Sequence, residues 1–260
     1  MKRVPKSAEE PSGLADFRSA NPEGTWKQFQ DEAQSAYDEV VAILNVDQGG
    51  LCAYCEINVK KPGDQCVEHF HPKADSSSVS NWHLDWDNLW LCCRGGRAYP
   101  SPQAIAQGRV REPFTENYSC DAEKGGEVLD ERILNPSEIP AFPRIFKYRI
   151  NDGEMQVDKD ACEAAEIDSC RAQATIDLLG LNCARLKDAR AVVIRAIDKV
   201  KKTARTHRNS GDIRAQTYQY LTKRFLTKSE AGLWPKFFTV ARWSLGAQAE
   251  RHLEDCGFDG

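Results

Sequence analysis

Cys52-Ala53-Tyr54-Cys55, then Glu68-His69-Phe70-His71-Pro72-Lys73, then Asp87-Asn88-Leu89-Trp90-Leu91-Cys92-Cys93, then Cys120-Asp121-Ala122-Glu123-Lys124-Gly125 are the four stretches that decide how this chain of 260 residues is read. Two cysteines with two residues between them grip one ion from a tight turn, and a tetrahedral zinc site then needs two more ligands from elsewhere. Cys93 and Cys120 are the candidates; Cys93 is preferred over Cys92, which beside Leu91 fits an inward packing position. The bland alternative is that Cys93 and Cys120 are buried thiols, a common fate of free cysteine. Structural zinc is favoured because the chain from Cys52 to about Pro140 is rich in Gly, Pro, Asp and Ser and has no other evident source of order. Cys66, Cys162, Cys170, Cys183 and Cys256 have no partner at ligand spacing and read as core packing.

Bulk composition restricts the answer without naming it. An apolar fraction of 41% is enough to bury a core, and no run of about 18 apolar residues is present to span a membrane. Met1-Lys2-Arg3-Val4-Pro5-Lys6 carries charge with no apolar stretch behind it, so no signal peptide is expected and the reducing cytoplasm is the expected location. There, ten cysteines read as metal ligands and buried thiols rather than disulfides. A net charge of −4 excludes a protein that coats nucleic acid over its whole surface, so any such contact must be local.

Three regions are expected, in an α+β fold. Residues 1–50 comprise an extended strap to Gly24 and one helix, opened by the capping-box signal Thr25-x-x-Gln28 and carried by Trp26, Phe29, Ala33, Tyr37, Val40 and Leu44 until Gly49-Gly50. Residues 51–158 form the zinc-bound core and end in a hairpin, Arg144–Ile150 with Glu154–Val157 around Asn151-Asp152-Gly153. Residues 159–260 turn helical, with one period on Ile167, Cys170, Ala174 and Leu178, a second on Leu186, Ala189, Val193, Ile197 and Val200, and two further stretches at 212–226 and 236–254.

The non-thiol residues point to phosphodiester hydrolysis, which needs a base to deprotonate water and a cation to neutralise charge growing on phosphate. A neutral imidazole suits the first task and a hard divalent ion, magnesium or manganese, held by carboxylates suits the second. His69 is the candidate base, Glu68 and Asp121 the candidate ligands of the catalytic ion, and Asn88 the group that orients the loop carrying His69. Strand periodicity puts Glu68 and His69 on opposite faces, one toward an ion and the other toward a water. A lone histidine is more often a structural hydrogen-bonding group; four matched positions in order shift the balance. His71 either helps bind phosphate or stabilises the turn before Pro72, and Lys73 and Lys124 are phosphate contacts or plain surface lysines. His83, among Trp82, Trp86 and Trp90, reads as packing. Between Arg185 and Arg208 nine basic residues, Arg190 and Arg195 among them, stand against Asp188 and Asp198, a local charge of +7 that fits a nucleic-acid track slightly better than a solvated helix face.

In this order the motifs resemble those of HNH, or His-Me finger, endonucleases with a zinc-held ββα core. The flanks, Trp26 with its helix, Gln48-Gly49-Gly50-Leu51-Cys52-Ala53-Tyr54-Cys55-Glu56, and Leu178-Leu179-Gly180-Leu181-Asn182 with Leu186 and Arg190, are similar to PtuB-type HNH proteins of Septu and retron-linked antiphage systems. The resemblance implies that His69 is the general base, that Glu68 and Asp121 hold the catalytic cation, that Asn88 supports the histidine loop and that Cys52, Cys55, Cys93 and Cys120 bind zinc. It also implies a PtuA-like ATPase partner, for which the helices beyond about residue 210 are the candidate surface, and a retron reverse transcriptase with its msDNA as a further partner. Two departures stand out: Glu68 and Asp121 fill places where many relatives carry Asp and Asn or His, and residues 94–119, with Arg94, Arg97, Arg109 and Arg111, separate the last two zinc cysteines. That insertion is equally well a substrate-contacting loop or a solvated excursion. The competing reading is a noncatalytic zinc module that binds nucleic acid or its partner, which has no need of Glu68, His69, Asn88 and Asp121 together.

Overall fold

The computed structural model describes residues 1–59, 61–77, 80–97, 117–206 and 211–260. Arg109 and Arg111 of the insertion, and Arg208 of the basic run, lie outside the described residues.

Proline and glycine punctuate the N-terminal stretch without keeping it extended. Residues expected as a strap contain α1 (Ser12–Ala20), whose Leu14 is fully buried. A methyl group on Gly13 would stand 2.5 Å from the Ala36 Cβ, so glycine is what lets α1 lie this close to the next helices. The capping box at Thr25 forms as the sequence predicts: the Thr25 hydroxyl accepts from the Gln28 amide at 3.2 Å and the Gln28 side chain accepts from the Thr25 amide at 2.8 Å. The expected single helix is two, α2 (Trp26–Glu32) and α3 (Gln34–Asp47), broken at Ala33. The break lets Trp26 and Phe29 of one piece and Val40 and Leu44 of the other all reach the core.

Beyond Gly49-Gly50 the chain turns through Cys52 and Cys55 and enters an antiparallel hairpin, β1 (Gln65–His69) with β2 (Leu89–Cys93), paired Cys66 to Cys92 and Glu68 to Trp90. All of β2 is buried, which its apolar run Leu89-Trp90-Leu91 explains. A single turn of helix, α4 (Asp121–Lys124), starts directly after Cys120. The second hairpin forms at the expected place but with shorter strands, β3 (Phe146–Tyr148) and β4 (Met155–Val157), closed by the Gly153 amide bonding the Arg149 carbonyl at 2.9 Å.

Helices make up the rest: α5 (Lys159–Ala164), α6 (Ser169–Leu178), α7 (Ala184–Thr206), α8 (Gly211–Phe225), α9 (Phe238–Leu245) and α10 (Ala247–Asp255). The predicted stretch 236–254 is split at Gly246, whose φ of 60° a helix interior does not tolerate. α9 is buried along most of its length, packing on α7, α8, α10 and β3. Two cysteines assigned to the core, Cys170 and Cys256, are exposed: each falls on the solvent side of an amphipathic helix end. No helix among the described residues is long and apolar enough to cross a membrane.

Candidate active site and metal centre

The thiols come together as a closed cluster. Cys52 and Cys55 flank a turn in which the Glu56 amide bonds the Cys52 carbonyl at 3.2 Å, Cys93 ends β2, and Cys120 precedes α4. Their sulfurs stand 3.8 Å apart for Cys52–Cys120, 3.6 Å for Cys55–Cys93 and 3.8 Å for Cys93–Cys120, and all four are buried. A tetrahedral zinc with bonds of about 2.3 Å separates its sulfurs by about 3.8 Å, so the donor set fits that ion in type, number and spacing. Burial pushes the Cys55 and Cys120 thiols well above their ordinary range, whereas Cys52, against the same burial, is pulled well below it by hydrogen bonds from the neighbouring thiols, Cys120 first, so the four share negative charge that a bound cation would stabilise. Cys93, not Cys92, belongs to the cluster. The Gly95 amide reaches the Cys93 sulfur at 3.4 Å.

Beside this cluster, strand alternation sorts the other candidates. Cys66 and Glu68 face α4. The Glu68 carboxylate is buried, 2.8 Å from the Lys124 ammonium, and its acidity is weakened to about 8 by burial and by the neighbouring Asp121, against the pull of Lys124. Asp121 meets the Arg97 guanidinium at 3.2 Å and the Cys66 thiol at 3.8 Å. Two adjoining carboxylates offer hard oxygens of the kind that hold magnesium or manganese with water in the remaining positions, so the donor chemistry fits such an ion.

Lys124 does not reach outward. Its side chain is 1% exposed, and its ammonium also donates to the His69 carbonyl at 2.9 Å. The expectation that it contacts phosphate is corrected by this burial: the ammonium is consumed in tying a candidate ligand to the backbone of the candidate base.

His69, on the opposite face, is 4% exposed. Its Nε2 lies 3.1 Å from the His83 carbonyl, and its ring meets the Trp26 ring edge-on with centroids 5.0 Å apart. Burial first, then the charge of Lys73, push the imidazole down to about 3. His83 does more than fill volume: its carbonyl meets His69 and its Nδ1 accepts from the Trp26 amide at 3.1 Å. No side-chain pattern announces a backbone carbonyl, so nothing in the sequence pointed there.

Asn88 is buried and saturated. Its Oδ1 accepts from the His71 amide at 2.6 Å while its Nδ2 donates to the carbonyls of His71 at 3.0 Å and Trp82 at 2.9 Å. His71 is held between two carboxylates, Asp130 at 2.7 Å from Nδ1 and Asp75 at 2.9 Å from Nε2, with its ring centroid 4.1 Å from that of Trp82. Both ring nitrogens are thus committed within the fold, which matches the turn-stabilising reading.

The basic run is thinner than its count of charges suggests. Arg190 is 2% exposed and donates to the Leu181 carbonyl at 2.6 Å and the Gly153 carbonyl at 3.3 Å, so its assignment to nucleic acid is corrected: it braces the β3–β4 turn against α7. Arg185 is spent on the Ser119 hydroxyl and Lys201 on the Ser244 carbonyl. Arg195, Lys199 and Lys202 are exposed and fall on one stripe of α7 by their spacing. Lys73 is exposed beside β1.

No family model matches the chain, and no solved structure matches it. The Escherichia coli protein named "Retron Ec83 putative HNH endonuclease" is 30% identical to it over 201 residues, 73% of this chain and 78% of that protein. With identity at this level across most of both chains, and with the histidine, asparagine and cysteine motifs gathered around one hairpin, the chain belongs to the HNH endonuclease family.

Proposed function

We propose that this protein is a zinc-stabilised endonuclease that hydrolyses phosphodiester bonds of nucleic acid, DNA by preference, with the help of magnesium or manganese, as the effector of a Septu-type or retron-linked antiphage system. The reading rests above all on the contact between the His69 ring and the His83 carbonyl. A carbonyl only accepts, so Nε2 carries the ring proton and Nδ1 keeps its lone pair. With the imidazole pushed down to about 3, that lone pair is free at every physiological pH. An arriving phosphodiester brings negative charge to the ring and raises its basicity toward the working range.

In the proposed reaction His69 Nδ1 takes the proton of a water that attacks phosphorus. Glu68 and Asp121 hold the divalent ion, which when bound supplies positive charge to the developing phosphate charge and to the leaving oxygen. Asn88 fixes the His71–Trp82 loop against the start of β2, and Lys124 keeps the Glu68 carboxylate and the His69 backbone in register. β1, β2 and α4 are the proposed ββα core, lying within a nuclease region of residues 51–158 between the N-terminal helices of 1–50 and the helical region of 159–260. Zinc on Cys52, Cys55, Cys93 and Cys120 has a structural role. Lys73 and the stripe containing Arg195 are the proposed backbone contacts.

Control by a PtuA-like ATPase seated on the helices beyond residue 210 is supported by the likeness to Septu-type proteins; association with a retron reverse transcriptase and its msDNA is supported by the name of the E. coli relative. The test is to incubate plasmid and structured RNA with the protein, alone and with its ATPase, in magnesium or manganese, beside His69→Ala. Cleavage lost only in the variant is the expected result. Equal cleavage by both proteins would end the assignment of His69, and tight binding without cleavage under every condition would favour the noncatalytic module.

A further inference from the structure

Beside β1 lies a cleft of about 370 Å³ that the proposed chemistry leaves unused. Trp26, Tyr37, Gln65, Val67, Lys73 and Arg94 are among the residues that line it. Strand alternation puts Gln65, Val67 and His69 on one face of β1, and the Trp26 ring that borders the cleft also touches the His69 ring, 5.0 Å between centroids. The cleft therefore runs toward the candidate base from the N-terminal end of its strand.

We propose that this cleft is a subsite for one unstacked nucleobase in a single-stranded segment next to the scissile phosphodiester, with Tyr37 as the stacking platform, an assignment that rests on the nuclease reading above. The volume lies at the low end of what small ligands occupy, room for one base and not for a stacked duplex. The Trp26 and Tyr37 rings meet at 62°, so only one can lie parallel to an incoming base. Trp26 is 5% exposed, its ring enclosed by Phe29, His69 and Tyr37, whereas Tyr37, edge-on to Trp26 and Phe29, is partly exposed and is the ring a base can reach. The side-chain oxygen of Gln65 is buried with no hydrogen-bond partner. Buried amide oxygens are almost always bonded, and an amino group or ring N–H on a base edge would complete this one. Along the cleft Lys73 and Arg94, the latter also donating to the Gly63 carbonyl at 3.0 Å, outnumber the single acid Asp38, a balance suited to the phosphate that accompanies the base.

The test uses the full chain in a His69→Ala background, which leaves substrate intact, with single-stranded and duplex oligonucleotides of one sequence, as DNA and as RNA, read by fluorescence anisotropy. Tyr37→Ala is expected to weaken single-strand binding by about fivefold or more, the low end for one base–aromatic stack, with Tyr37→Phe restoring it and duplex binding unmoved. Loss shared equally by single strand and duplex, no loss, or no binding of either form overturns the subsite. Should Tyr37→Ala fail to fold, photo-cross-linking of a 5-iododeoxyuridine strand to the His69→Ala protein decides: adducts on the peptides of Trp26 or Tyr37 support the subsite, adducts confined to other peptides, α7 included, or none at all overturn it. Plasmid cleavage by the unaltered protein and by His69→Ala is run beside it, because equal cleavage there ends the assignment of His69, and cleavage by neither defeats the nuclease reading, independently of where a base stacks.

Discussion

Lys124 and His69 owe their character to burial, and both make quantitative predictions. Removing one member of a buried ion pair strands the other, whereas replacing both with apolar groups does not. At pH 9, above the value of about 8 to which Glu68 is raised, Lys124→Met alone is therefore expected to cost about 3 kcal/mol in urea unfolding, more than the joint change Lys124→Met with Glu68→Leu; a joint change that costs as much as both single changes together would show that the pair is not coupled. For His69 the folded chain refuses a proton down to about 3 while the unfolded chain accepts one near 6.5. Its folded pKa is depressed, so its contribution is fully present above 6.5 and is lost as pH falls from there toward 3. Between pH 7.5 and 5.5 the protein is expected to lose about 1 kcal/mol more than His69→Phe, measured as the difference in unfolding free energy; parallel curves for the two proteins would refute it. That Glu68, His69, Asn88 and Asp121 gather around the β1–β2 hairpin was legible from the order of the motifs, because the chain has only five histidines and the cysteines on either side fix which of its many carboxylates stand beside His69. Lys124 and Arg190 were misread because a basic side chain looks the same in sequence whether it ends in water or on a backbone carbonyl.

At the level of elements, hairpins and helices were legible where periodicity and turn chemistry agree, as in the Thr25 cap and the β3–β4 turn. The break at Ala33 was not, because apolar residues keep helical spacing across it and packing decides the change in direction; at Gly246 the glycine was the visible signal, passed over because apolar spacing continues on both sides of it. Element ends also carry the insertion. Gly95 follows β2 at φ 60°, its carbonyl accepts from the Ser119 amide at 3.0 Å, and an added methyl would stand 2.1 Å from the Ser119 carbonyl oxygen. There the two ends of residues 94–119 meet, bringing Cys120 back to Cys93. Gly95→Ala is expected to cost more than about 1 kcal/mol and to weaken zinc retention against a chromophoric chelator. Gly63→Ala is the control, since a methyl added there would meet nothing within 4 Å and its φ is not positive; equal zinc release from both variants would mean that the Gly95 junction does not hold the cluster.

Across the whole molecule, hydrogen bonds join the Cys52–Cys55 turn to the C-terminal helices, though the two are nearly two hundred residues apart in sequence. α9 has no side-chain cap of its own: Phe237, the residue before it, sits in the left-handed region and lends no acceptor. The cap comes from Glu56, one residue past Cys55, whose carboxylate accepts from the Thr239 amide at 2.8 Å and from the Thr239 hydroxyl, while its carbonyl accepts from the Phe237 amide at 2.9 Å. A carboxylate at a helix N-terminus satisfies amides that have no partner within the helix and meets the positive end of its dipole. Glu56, at φ 62°, is tied in turn to the Cys52–Cys55 turn by its amide, 3.2 Å from the Cys52 carbonyl, and by its carboxylate to the N-terminal ammonium of Met1 at 3.1 Å. Removing a metal ion from the four-cysteine cluster should therefore uncap a helix outside the region that binds it. After treatment with 1,10-phenanthroline, hydrogen exchange is expected to speed up in residues 51–59 and 89–97 and equally in Phe238–Leu245, while β3 and β4, bonded to each other and braced by Arg190, keep their protection. If α9 stayed protected as the zinc turn opened, its cap would be shown to contribute nothing; if β3 and β4 opened at the same rate, the fold would be one cooperative unit with no special coupling between Glu56 and α9.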